Sequence, residues 1–131
     1  WGTNYENVKK LVKENSSEEI TADDEKKIVI ASIENYKNDQ GVTASELYNC
    51  ERDGTLHKVF IMIRNEHSVY TDDRLLDKYE RGLSELYGEA EDISYGLKWT
   101  ASKSRISLML LSEGTIVLEY VDINEEETAV R

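Results

Sequence analysis

From Thr71 to Asp122 the hydrophobic positions first recur at helical spacing and then alternate. Leu75, Leu76, Tyr79, Leu83, Leu86 and Tyr87 lie at offsets of 0, 1, 4, 8, 11 and 12, which is one apolar stripe of a helix. Asp77, Lys78, Glu80, Arg81, Ser84 and Glu85 fill its polar side. Thr71 is placed to cap the first turn, Asp72 and Asp73 complement the helix dipole there, and Gly88 stands where a left-handed C-cap belongs. Gly82 falls inside the helix at a cost of about 1 kcal/mol relative to Ala. Either it permits close approach to a sheet or it is tolerated without a role.

Beyond Gly88 the period changes to two. Ile93, Tyr95, Leu97 and Trp99 alternate with Ser94, Gly96, Lys98 and Thr100, the pattern of a half-buried strand. Ser102-Lys103-Ser104 reads as a turn, Arg105 to Leu111 as a second strand, Glu113-Gly114 as another turn, and Ile116 to Asp122 as a third strand. Connections this short make neighbouring strands antiparallel. A helix with one apolar stripe buries it on such a sheet.

The first half is a looser version of the same order. Thr3 or Asn4 can cap a short helix with Tyr5, Val8, Leu11 and Val12 on one side and Lys9, Lys10 and Lys13 toward its C-terminal end. Asn15 to Glu25 is polar and acidic and reads as a loop or irregular segment. Lys27 to Tyr36 is rich in β-branched residues and reads as a strand; the competing assignment is a helix with Ile30 and Ile33 inward. Asn38-Asp39-Gln40-Gly41 turns the chain. Thr43 to Cys50 and Leu56 to Arg64 are the next two strands, around an Asp53-Gly54 hairpin turn. Asn65 to Tyr70 leads into the second helix, and Asn124 to Arg131 is a charged, frayed tail. The expected fold class is therefore α+β: two tandem α-β-β-β units, about 1–65 and 66–123, in a single domain with an antiparallel sheet and the helices packed on one face. The repeat, with a period of roughly 65 residues, rests on element order alone.

Composition narrows the function classes. The 131 residues suffice for one domain that buries roughly two thirds of its unfolded surface. A formal net charge of −11 repels phosphate backbones, so nucleic acid is not an expected partner. A single cysteine, Cys50, makes an internal disulfide impossible and leaves the compartment open. No apolar run approaches the ~20 residues of a membrane-spanning helix. The chain starts at Trp1 rather than Met, and the expectation is a processed or trimmed product whose signal peptide or lipid anchor, if it has one, lies upstream of Trp1.

Chemistry-bearing residues are sparse. With a two-residue turn at Asp53-Gly54, Cys50 falls opposite His57, and a thiol beside an imidazole is the arrangement of a nucleophile and its base. No third partner or oxyanion-hole motif accompanies them, so the pair also reads as an incidental cross-strand contact; a small hydrolase using Cys50 and His57 stands as an alternative function. His67 reads as solvated, and two histidines with one cysteine give no zinc spacing. The acidic groups Asp23-Asp24-Glu25, Asp72-Asp73, Glu89-Glu91-Asp92 and Glu125-Glu126-Glu127 lack the Asp-x-Asp-x-Asp-Gly pattern of a calcium loop. There is no phosphate-cradling glycine loop and no G-x-S-x-G elbow. The expectation is a protein that is not an enzyme and holds no metal or cofactor. Tyr79, Tyr87, Tyr95 and Trp99 fit core positions, whereas Tyr36, Tyr48 and Tyr70 are less committed.

A weak motif runs through the chain. Trp1-Gly2, Glu6, Val8 and Lys9 spell W-G-x-x-x-E-x-V-K, and Leu83, Leu86-Tyr87-Gly88, Trp99 and Tyr120 follow. In these residues and in element order the chain resembles small bacterial exported domains and lipoproteins built as helix-plus-antiparallel-sheet repeats. Its architecture is also similar to that of the β-lactamase inhibitor protein family, in which two such repeats form a curved sheet. The resemblance implies this fold, export to the periplasm or cell surface, and a sheet face available for contacts. Unlike the inhibitor, this chain has no disulfide.

Two strands are apolar on both faces. Leu56, Phe60 and Met62 alternate with Val59, Ile61 and Ile63, and Ile106, Leu108 and Leu110 alternate with Met109 and Leu111. Strands apolar on both faces want cover on both. With helices for one face only, the other is shielded by curvature, by the Asn15 to Glu25 segment or by another chain. Taking the larger set of Leu47, Leu56, Phe60 and Met62 as core leaves Tyr48, Val59 and Ile61 as the expected contact face, for a protein partner or a second copy. The expected function is a non-enzymatic protein-interaction or ligand-binding module; a small-ligand carrier on the concave sheet face is a further alternative.

Overall fold

The stripe and caps around Leu75 produce the helix they predict. In the computed structural model, which describes residues 1–15, 19–66 and 70–123, helix α2 spans Asp72–Tyr87. The Thr71 hydroxyl accepts the Arg74 N–H at 3.3 Å, and Gly88, at φ +92°, closes the helix with its N–H on the Ser84 carbonyl. Leu75, Tyr79 and Leu83 are buried, while Leu86 is exposed. Nothing lies within 4 Å of where a Cβ on Gly82 would stand, so that glycine serves no close approach. Helix α1 spans Tyr5–Asn15 and is capped by the Asn4 Oδ1, which accepts the Asn7 N–H at 3.0 Å. It buries Tyr5, Val8 and Val12 and leaves Leu11 exposed.

Among the described residues there are eight strands, in chain order β1 (Ile20–Asp23), β2 (Ile28–Ile33), β3 (Val42–Asn49), β4 (Lys58–Asn65), β5 (Glu91–Ile93), β6 (Gly96–Thr100), β7 (Ser104–Ser112) and β8 (Thr115–Asp122). They form one sheet in the order β1-β2-β3-β4-β8-β7-β6-β5, antiparallel throughout. The α+β class and the antiparallel sheet are as expected. The strand count is not, because eight strands stand where the sequence suggested six.

The two additional strands have separate causes. Part of the segment read as irregular, Ile20–Asp23, is an edge strand whose Ile20 packs against the α1 cluster and pairs with Ala31. The alternation from Ile93 to Thr100 conceals a hairpin: β5 ends at Ile93, Ser94 and Tyr95 turn, and Ile93 pairs with Gly96. Tyr95, expected in the core, sits in that turn and is exposed. Tyr87 is also exposed, whereas Tyr79 and Trp99 are buried as expected. Lys27 to Tyr36 is a strand rather than a helix over Ile28–Ile33; Lys27 lies at positive φ in the preceding turn. After β2, Asn35, Lys37 and Asn38 take positive φ and turn Tyr36 inward within a short 3-10 turn. The expected tail and His67 lie outside the described residues.

Both helices pack on the same sheet face. Under α2, Leu75, Tyr79 and Leu83 meet Ile61, Ile63, Ile116, Leu118, Ile106, Leu108 and Trp99. Under α1, Tyr5, Val8 and Val12 meet Val29, Ala31 and Cys50. Val29 pairs with Tyr48, and Tyr48 with Val59, so strand parity places the two clusters on one side.

Candidate functional site

Strand parity also defines the face away from the helices. It carries Ile28 and Ile30 of β2, Leu47 of β3, Phe60 and Met62 of β4, Val117 and Val121 of β8 and Met109 of β7. The register aligns Ile30, Leu47 and Phe60 in one row and Met62, Val117 and Met109 in the next. The first row continues across Glu119, Ser107, Lys98 and Glu91, so it changes from apolar to charged at β8. Ion pairs frame that half: Lys58 to Glu119 at 3.3 Å and Lys98 to Glu91 at 3.4 Å. Val117 and Ser107 are buried on this face, flanked by longer side chains in their rows.

The expected contact residues lie on the other side. Ile61 is 5% exposed in the cluster under α2, Val59 packs against the same cluster, and Tyr48 packs against the α1 cluster. The expectation rested on choosing the bulkier set as core. The stripe of α2 instead packs on the β-branched Ile61 and Ile63, and Leu47, Phe60 and Met62 take the helix-free face. Leu56, also expected in the core, precedes β4 and does pack against the α1 cluster, and its backbone pairs with the N-terminal segment through Gly2 and Thr3.

The Cys50–His57 arrangement differs from a two-residue hairpin. Asn49 pairs with Lys58 in the expected register, but residues 50–57 form a longer connection in which the Gly54 N–H reaches the Cys50 carbonyl and Thr55 bridges to Asn4. Cys50 is fully buried under α1, and burial, then the nearby Asp53, push its thiol pKa up. A raised, inaccessible thiol is the opposite of an activated nucleophile. The His57 Nδ1 faces the Thr55 carbonyl at 3.4 Å, and among the described residues no hydrogen bond joins the two side chains.

The acidic groups have local tasks. Asp23 Oδ1 accepts the N–H groups of Glu25 and Lys26 in the β1–β2 turn. Asp24 accepts the Tyr5 hydroxyl at 2.5 Å and the Lys9 ammonium at 3.0 Å, which hold its carboxyl below the usual range. Asp72 accepts from Asn65 and from the Gly114 N–H, joining α2 to the β7–β8 turn. Among the described residues no three His, Cys, Asp or Glu converge as a metal site, and no helix is long and apolar enough to cross a membrane. A groove of about 630 Å³ along α2, lined by Tyr70, Arg74, Asp77, Lys78, Arg81, Gly82 and Glu85, mixes both charges around one helix side.

Comparison of the chain with protein-family models, with curated proteins and with solved structures finds no match.

Proposed function

We propose that this chain is a non-enzymatic interaction module that engages a protein partner through the helix-free face of its sheet. The observation that carries the reading is the contiguous apolar run of Ile30, Leu47, Phe60, Met62, Val117 and Met109 across five strands. Covering such side chains is favourable by about 25 cal/mol per Å² of apolar surface. Contiguous apolar patches on soluble proteins mark contact sites. The charged half of the same face orients a partner more than it adds affinity. The buried Cys50 thiol favours this reading over a Cys50–His57 hydrolase.

The order helix, four strands, helix, four strands, with β4 and β8 adjacent at the middle of the sheet, supports reading the chain as two tandem units. It supports in the same measure the similarity to the β-lactamase inhibitor architecture. Export is taken from the sequence resemblance.

Photo-crosslinking in the source cells tests the reading. A photoreactive residue at Met62 should give a discrete protein adduct, lost when Phe60→Asp is added, and one at the exposed Glu85 of α2 should give none. No adduct at Met62, or equal adducts at both positions, would overturn the reading; an adduct of the chain with itself would make a second copy the partner.

A further inference from the structure

A second surface lies on the opposite side of the sheet, between the helices. α1 stands over β1 and β2, and α2 over β6, β7 and β8. In the strip between them Tyr48 of β3 pairs with Val59 of β4, and Val59 with Tyr120 of β8. The three side chains stand side by side, and strand spacing places the two tyrosine Cα atoms about 10 Å apart. Val59 thus lies between two tyrosines in a partly exposed strip, a shallow slot bordered by the buried Tyr36, which is near Glu46, Tyr48 and Tyr120. Glu46 stands at one end, where its Oε1 accepts the Tyr48 hydroxyl at 3.0 Å. Trp1 stands toward the other end, its indole N–H donating to Ser104 Oγ at 2.7 Å. Ser104 is opposite Asp122, two residues beyond Tyr120 on the same face. Glu46, Tyr48, Val59 and Tyr120 are all partly exposed.

Glu46 is out of keeping with its surroundings. Its row runs Ala31, Glu46, Ile61, Leu118, Leu108, and the four others are buried and apolar. A carboxylate offers about four acceptor sites. Among the described residues Glu46 takes one hydrogen bond, from Tyr48, and forms no ion pair. The carboxylate also lies near enough to Tyr36 and Tyr120 to add to the upward push that burial gives their hydroxyls. The chain's own lysines sit on other rings, Lys9 and Lys27 on Tyr5, Lys37 on Tyr36 and Tyr79, Lys78 on Tyr70. Among the described residues none sits on Tyr48 or Tyr120.

We propose that this slot binds the head of an alkylated ammonium compound, a choline-like organic cation. Tyrosine ring faces attract a cation, the half-buried Glu46 carboxylate supplies counter-charge, and Val59 receives the alkyl groups. Hydration and donor count discriminate among cations. A primary ammonium is a compact, strongly hydrated charge that is costly to bring into a half-buried place, and a guanidinium brings five N–H donors against about three acceptor sites left on Glu46. A quaternary nitrogen brings none to satisfy. A metal ion needs several oxygen ligands, and the slot offers one carboxylate.

The test is a titration of the chain with choline, with 3,3-dimethyl-1-butanol (its uncharged carbon isostere) and with n-butylammonium, a mimic of a lysine side chain. Chemical shifts are read at Glu46, Tyr48, Val59, Tyr120 and Trp1. The proposal expects choline to shift these residues and to bind about tenfold more tightly than the alcohol. Glu46→Gln should weaken choline about tenfold and leave the alcohol unchanged. No binding of choline at about 0.1 M, equal affinity for choline and the alcohol, or tighter binding of n-butylammonium would overturn it. The ligand comparison uses the unmodified chain, so its outcome does not depend on how the variant folds.

Discussion

Lys78 and Asp39 meet in a two-pronged ion pair, with the ammonium 2.7 Å from each carboxylate oxygen and Asp39 only 9% exposed. The pair ties α2 to the loop that carries Tyr36 into the core. Lys78→Ala leaves the carboxylate buried and unpaired. The expected cost is about 1–3 kcal/mol, toward the lower end because the lysine itself is partly solvated. Asp39→Asn removes the charge along with its partner's attraction and should cost less. Urea unfolding of the two variants checks the order; equal or reversed losses would contradict it.

Two glycines should respond to alanine with opposite signs. At Gly96 a Cβ would run into the Leu108 carbonyl oxygen and stand 3.0 Å from the Met109 Cβ, so β6 must move off β7. Gly96→Ala is expected to destabilise by about 2–4 kcal/mol. Gly82 meets open space within α2, and Gly82→Ala should stabilise by about 0.5–1 kcal/mol. Denaturation midpoints that move in the same direction for both variants would contradict this geometry.

The tyrosines predict an alkaline limit to stability. Burial is the first cause that raises the hydroxyls of Tyr5, Tyr36, Tyr48, Tyr79 and Tyr120, and it takes Tyr79 to about 12. The fold favours their neutral forms. Their contribution is therefore full below the unfolded value of about 10 and is lost as pH rises through the folded values. Tyrosinate absorbance and far-ultraviolet circular dichroism followed together from neutral to alkaline pH check this. Most of the tyrosinate signal should appear with loss of the sheet. Full ionisation of all eight tyrosines with the sheet intact would contradict the burial described.

Local signals were the legible ones. The caps of α2, its stripe and the alternation in β4, β7 and β8 can be read from neighbours in sequence. The edge strand β1 was hidden because its outer positions are polar and its pairing partner is β2. The β5–β6 turn was hidden because two turn residues keep the alternation in phase. Parity shows that Phe60 and Met62 share a face opposite Ile61 and Ile63, but not which face the helices cover. That choice depends on how the α2 stripe fits the β-branched surface. The slot around Val59 needed the β4–β8 pairing, since only that contact brings Tyr120 beside Tyr48's neighbour.

The central claim is that the face carrying Phe60 is free of the helices and the face carrying Ile61 is beneath them. Thermal unfolding of Phe60→Asp and Ile61→Asp, one residue apart on opposite faces, tests it most directly. Ile61→Asp puts a carboxylate against Leu75, Tyr79 and Leu83 and should cost more than about 3 kcal/mol or abolish the cooperative transition. Phe60→Asp should remain folded at a cost of about 1 kcal/mol. A folded Ile61→Asp variant beside an unfolded Phe60→Asp variant would contradict the account.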